Sequence, residues 1–156
     1  DAHKDLAYRE LLRDEFVAVA RADSVLARRR VTWQALQRQP LIMLPRQSSI
    51  RVLADRQFAA AGIVREPAYE VQNPIGALSM ARAGMGVTVL PLLSLSGLNM
   101  SGLKALRIHE PRFERSLGII SRGARPLPPA AAAYVDLLFG ELGRPHGARA
   151  AKMLPR

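Results

Sequence analysis

The hydrophobic and polar positions follow two periods along this chain, and their order predicts alternating strands and helices. The continuously apolar run at 41–44 is typical of a strand that is covered on both faces. A helix is predicted over 49–61, because apolar residues recur there at spacings of three and four. Further strands are predicted at 15–20, 68–72, 87–90, 103–109 and 115–122.

Turn residues bound a second predicted helix. Asn73-Pro74 opens it, since proline is favoured at the first helical position. Gly84 suits the left-handed turn that ends it, and Gly86 lets the chain pack tightly as it enters the next strand. The resulting order of strand, helix, strand, helix and strand predicts an α/β fold with a parallel sheet.

A last helix is predicted after the prolines at 126, 128 and 129. Its apolar face is expected to carry Ala131, Tyr134, Val135, Leu138 and Leu142.

Composition narrows the class of protein. The 156 residues are enough to bury one core, and no apolar stretch approaches the length of a membrane span. The chain has no cysteine, which excludes disulfide frameworks and thiolate metal sites and is compatible with the cytoplasm. The charged start does not resemble a secretion signal, so a cytoplasmic protein with no membrane partner is expected.

The net charge of +10 suggests nucleic-acid binding, but its distribution weakens that interpretation. Residues 144–156 carry four basic groups and no acid, and they are predicted to form a flexible basic tail. Elsewhere the arginines are spread thinly, and aromatic residues, at 5%, are too few for a stacking platform.

Patterns of catalysis and cofactor binding are missing. Gly84-Met85-Gly86 lies between a helix and a strand and lacks the third glycine of a dinucleotide loop. None of the three histidines lies in a recognisable arrangement with a serine nucleophile. We therefore predict no catalytic residue, no metal and no cofactor, and favour a binding domain over an enzyme.

Two strand-to-helix junctions are the best candidates for a ligand site. In open α/β sheets, ligands bind outside the carboxyl ends of the strands, where free backbone N–H groups at helix starts attract anions. Ser48 is expected to cap the helix over 49–61, with neighbouring hydroxyl and guanidinium groups adding donors. A small carboxylate or similar anion is the expected ligand. The candidate residues are Arg46, Gln47, Ser48, Ser49, Ile50, Arg51, Gln72, Asn73, Pro74 and Ile75.

Six segments, in order, resemble LysR-type transcriptional regulators. FVAVARADSVLA at 16–27 resembles the strand and "hPLA" segment of that family, and VTWQAL at 31–36 its next short helix. LIML at 41–44 with SSIR at 48–51 resembles the following strand and helix start. ARAGMGVTVLP at 81–91 resembles "VaaGlGVallP", and RSLGIISR at 115–122 the last strand. The resemblance runs from about residue 6 to residue 142.

The resemblance implies a type II periplasmic-binding-protein-like effector domain, with the second lobe nearly complete and the first lobe partial. Residues 1–143 would form this domain, about 18–92 mainly in the second lobe and about 103–143 returning to the first. It also implies a small-molecule effector held between lobes, a homo-oligomer (dimer or tetramer), and promoter DNA bound through a helix-turn-helix domain absent from this chain. Two alternatives remain open: a solute-binding fragment without a regulatory role, and a basic nucleic-acid-binding module.

Overall fold

A computed structural model describes residues 5–123 and 126–142. The predicted tail at 144–156 lies outside these residues. The strands are β1 (Leu6–Arg21), β2 (Val31–Thr32), β3 (Leu41–Met43), β4 (Tyr69–Glu70), β5 (Val87–Pro91), β6 (Leu103–His109) and β7 (Glu114–Arg122). The helices are α1 (Trp33–Gln37), α2 (Ser49–Ala60), α3 (Pro74–Arg82) and α4 (Pro129–Leu142), with short 3-10 helices at Val25–Arg28 and Leu92–Leu95.

One long strand joins the two parts of the molecule. The strand order is β2-β6-β1-β5-β3-β4, and β7 pairs with β1 off this path. The first half of β1, from Leu6 to Glu15, pairs with β7, and the second half, from Phe16 onward, pairs with β5 and β6. We call the first half of β1 together with β7 the ribbon. The chain therefore passes from the ribbon into the sheet near Glu15 and Phe16.

The parallel pairing predicted for the strand-helix-strand-helix-strand segment is confirmed, but the whole sheet is mixed because β1 is antiparallel to its neighbours. β3 is parallel to β4 and β5, as the alternation of strands and helices predicts. β2, which is not among the predicted strands, is parallel to β6. β1 runs antiparallel to β5, β6 and β7. β1 also begins at Leu6, nine residues before the predicted start, because its pairing with β7 extends it beyond the buried run.

Helices cover both faces of the sheet. α1 and α2 pack on one face, where Trp33 meets Phe58 edge-on with ring centroids 5.0 Å apart. α3 packs on the other face through Ala77, Leu78 and Ala81. This layering explains why β3 and β5 are buried along their whole length and, apart from Thr88, apolar.

The tight entry into β5 requires glycine at two positions. Gly84 has φ of 80°, the left-handed conformation predicted for the end of α3. A Cβ on Gly86 would overlap the carbonyl oxygen of Pro40, which accepts a hydrogen bond of 2.9 Å from the amide of Val87. Gly86 therefore allows the close backbone contact that joins β5 to the segment before β3.

α4 is less covered than its sequence pattern predicts. No residue of this helix is fully buried. Ala131, Val135, Leu138 and Leu142 are partly buried as expected, but Tyr134 is 61% exposed. The helix contacts the ribbon through a cation–π pair in which the Arg9 guanidinium lies 3.6 Å from the ring centroid of Phe139.

Candidate functional site

The two predicted junctions leave the sheet at the same edge. β3 and β4 are adjacent and parallel, with Ile42 opposite Tyr69 and Met43 opposite Glu70. The amide of Val71 extends the pairing by donating to the carbonyl oxygen of Met43 at 3.0 Å. The chain then enters α2 from β3 and α3 from β4. We call residues 45–51 and 72–75, which lie at this carboxyl edge, the rim.

The ribbon joins the sheet at the same edge. Phe16, the first residue of β1 in the sheet, lies opposite Pro91 at the carboxyl end of β5. β6 also ends at this edge, and the chain then returns to the ribbon through β7. The rim therefore lies on the side of the sheet from which the ribbon extends, which is where a second lobe would face it.

At the first junction, Ser48 occupies the N-cap position of α2, but its side chain makes no capping hydrogen bond. The predicted N-cap position is therefore confirmed, but without the capping bond of the hydroxyl; the Ser48 amide donates to the Pro45 carbonyl oxygen at 2.8 Å. The hydroxyl of Ser48 is left available to a ligand. Gln47 and Ser49 are exposed beside it, and Ile50 is half-buried against the core.

Arg51 is a buried structural cation, contrary to the expectation that it would offer its charge to a ligand. Its side chain is 3% exposed. Nε donates to both carboxylate oxygens of Asp55 at 2.9 and 2.8 Å, and Nη1 donates to the Leu44 carbonyl oxygen at 3.2 Å. Nη1 also lies 3.6 Å from Oε2 of Glu70, the last residue of β4. Arg51 thus joins the loop after β3 to the strand that leads into the second junction.

Arg46 is exposed but already paired. Its Nη2 donates to both carboxylate oxygens of Glu66, at 2.6 and 2.7 Å. These hydrogen bonds, and then the charge of Glu66, raise the pKa of Arg46 above its ordinary value, with smaller contributions from Asp55 and Glu70. The positive charges expected at the rim are therefore paired with carboxylates, Arg46 with Glu66 and Arg51 with Asp55. Backbone amides and hydroxyl groups remain as the hydrogen-bond donors that could bind an anion.

The second junction is capped by a side chain. Asn73 Oδ1 accepts a hydrogen bond of 2.9 Å from the amide of Gly76, and Pro74 follows at the first turn. Gln72 is exposed, and Ile75 is 62% exposed. The second junction therefore presents an amide-bearing cap next to an exposed apolar side chain.

An ion pair at the entry of the ribbon was missed by sequence reasoning. Asp14 is 4% exposed, and its Oδ2 accepts from Nη2 of Arg115 on β7 at 2.9 Å. Its Oδ1 accepts from the amide of Leu93 at 2.9 Å. Asp14 thus ties β7 of the ribbon to the segment that follows β5 in the sheet.

Neither a metal cluster nor a membrane-crossing helix is found among residues 5–123 and 126–142. No group of three or more metal-ligating side chains occurs within those ranges. The helices there are too short or too polar to cross a membrane.

Comparison with known proteins decides the family. The model of the LysR substrate binding domain matches residues 1–143. The chain belongs to the LysR substrate-binding domain family. The family expected from the ordered segments is thereby confirmed.

The curated relatives of this LysR domain are named as regulators. The chain is 31% identical over 138 residues to the uncharacterized HTH-type transcriptional regulator YbhD of Escherichia coli, covering 88% of this chain and 44% of that protein. It is 35% identical over 135 residues to the uncharacterized HTH-type regulator YfeR of Shigella flexneri, covering 86% and 44%. The chain thus spans less than half the length of these relatives.

Solved structures confirm the fold of this LysR domain. The Synechocystis CcmR regulatory domain, solved in complex with 2-PG, superposes with a TM-score of 0.80 at 23% identity, covering 90% of this chain and 69% of that one. The effector-binding domain of QuiR, solved in complex with shikimate, gives 0.75 at 21% identity, covering 93% and 69%. The expected α/β effector-domain fold is therefore confirmed.

Proposed function

We propose that this chain is the effector-sensing domain of a LysR-type transcriptional regulator and that it is not an enzyme. The observation that carries the proposal is the rim: two helix starts open side by side at the edge of the sheet from which the ribbon extends. Family membership and relatives named as transcriptional regulators support the regulatory role.

The ligand of the rim is a small anion, most simply a carboxylate. The hydroxyls of Ser48 and Ser49 and the free amides of the first turn of α2 supply donors for its charged group. The side chain amide of Asn73 reaches from the second junction, and exposed Ile75 contacts the apolar part of the ligand. Shikimate, the ligand of the QuiR domain, is a carboxylate of this kind.

Sensing works through the ribbon. About residues 18–92 form most of one lobe, and about 103–143 return to the other. An effector that binds both lobes favours their closed arrangement, and the changed angle between lobes passes to a helix-turn-helix domain elsewhere in the intact regulator. The regulator acts as a dimer or tetramer on promoter DNA, and hence in the cytoplasm.

The reading frame upstream of Asp1 tests the regulatory role. A helix-turn-helix segment in the same frame is the expected result. A secretion signal there would instead identify a solute-binding protein and overturn the regulatory proposal.

A further inference from the structure

A second concave surface lies beside β2, which is at the other end of the strand order from β3 and β4, the strands that lead to the rim. It is formed by the 3-10 helix Val25–Arg28, the edge strand β2 and α1, and its volume is about 330 Å³. Pockets for small ligands begin at about this size. β2 and β3 are four strand positions apart in the sheet, so this surface is roughly 19 Å from the rim at the usual strand spacing.

The lining of this pocket combines apolar and cationic groups. Its members are Val25, Leu26, Arg29, Arg30, Thr32, Gln34, Ala35, Arg38 and Gln39. Three of these nine residues are arginines and none is acidic. Val25 is 65% exposed and lines the same pocket as the three arginines, so it offers an apolar contact beside cationic groups.

The charges around the pocket are only partly compensated. Arg30 forms an ion pair with Glu110, in which Nη2 and Oε1 are 3.0 Å apart. The ion pairs found within residues 5–123 and 126–142 include neither Arg29 nor Arg38, and both side chains are exposed. A bound anion would relieve the repulsion among the three arginines and accept hydrogen bonds from them.

We propose that this pocket binds a small anion with an apolar body, such as a medium-chain carboxylate. The carboxylate pairs with Arg29 and Arg38, and the apolar body covers Val25 and Ala35. The site is separate from the rim and does not depend on the function proposed for the rim.

The pocket is linked to the return to the ribbon through Arg30 and through the start of α1. Trp33, the first residue of α1, donates from Nε1 to the Pro111 carbonyl oxygen at 3.1 Å. Glu110, the partner of Arg30, is the residue before Pro111 in the connection from β6 to β7. An occupant that contacts Arg30 is therefore one ion pair away from the segment through which the sheet is joined to the ribbon.

Titration of the whole chain with hexanoate, followed by backbone amide NMR, tests this proposal. Saturable shifts are expected at residues 25–26 and 34–39, and hexanamide, the neutral analogue, should bind about tenfold more weakly. The double variant Arg29→Gln, Arg38→Gln should lose the hexanoate response. The control variant, Arg56→Gln with Arg65→Gln, removes the same charge from exposed arginines on and just after α2. It should keep the hexanoate response.

Three results would overturn the proposal. Equal binding of hexanoate and hexanamide would show an apolar surface with no anion site. An unchanged response in the Arg29→Gln, Arg38→Gln variant would place the ligand elsewhere. Shifts produced by a random-sequence DNA duplex but not by hexanoate would identify a polyanion surface.

Discussion

Arg51 Nη1 lies 3.6 Å from Oε2 of Glu70, and this pair links the two halves of the rim. Arg51 is in the first turn of α2 and Glu70 ends β4, so the contact joins elements that are separate in sequence. The same nitrogen donates to the carbonyl oxygen of Leu44. The spacing of the two junctions therefore depends on one buried guanidinium group.

Replacing Arg51 by methionine should destabilise the protein by about 2 kcal/mol, because the Leu44 carbonyl loses its donor and Asp55 loses its partner. Arg51→Lys should recover only part of this, since an ammonium cannot form the same set of hydrogen bonds. Urea unfolding measures the change. Arg56→Met, at an exposed position on the same helix, is the control, and equal midpoints for Arg51→Met and Arg56→Met would contradict the assigned role.

Asp14→Asn should cost about 3 kcal/mol, because it leaves the guanidinium of Arg115 partly buried beside a neutral group. Thermal unfolding of this variant is compared with that of Glu10→Gln. Glu10 pairs with Arg13 on the exposed part of the ribbon, where water screens the pair and the loss of stability should be much smaller. If both variants unfold at the same temperature, Asp14 does not hold the ribbon to the sheet.

Gly86→Ala should destabilise the fold severely, since the added methyl group overlaps the backbone of Pro40. Gly76→Ala is the matched control: its new Cβ would lie 3.6 Å from the nearest atom, and alanine favours the helix. The yield of folded protein and the midpoint of urea unfolding measure both variants. Normal stability of Gly86→Ala would contradict the close contact before β3.

Replacing the N-cap residues of the two junctions, Asn73 and Ser48, by alanine should lower the free energy of unfolding by different amounts. Asn73→Ala should cost about 1 kcal/mol of stability, because Asn73 caps α3. Ser48→Ala should change stability by less than about 0.5 kcal/mol, because its hydroxyl forms no capping bond. Urea unfolding of the two single variants decides this, and a large loss for Ser48→Ala would show that the hydroxyl is structural.

The order of helices and strands could be predicted because periodicity and turn residues are local signals. Gly84 and Pro74 fix the ends of α3 through their own backbone preferences. The direction of β1 could not be predicted this way. Its antiparallel pairing is determined by contacts with β5, β6 and β7, which lie far away in sequence.

Two features of the site were not predicted, for different reasons. Arg51 lies three residues before Ala54 and seven before Phe58, on the buried face of α2, so the helical period contained the signal for its burial. Asp55, four residues further on, supplied a second signal. The Asp14–Arg115 pair gave no comparable signal, because its partners are 101 residues apart.

The most direct measurement of the rim as an effector site is an amide NMR titration of this chain with lactate, malate and shikimate. At least one should shift the amides of residues 48–51 and 73–76 in a saturable way. Ser48→Ala with Ser49→Ala should weaken that binding about tenfold, whereas Ser101→Ala, in the loop before β6, should leave it unchanged. Shifts confined to other parts of the sheet, or binding that survives loss of both hydroxyls, would contradict the account.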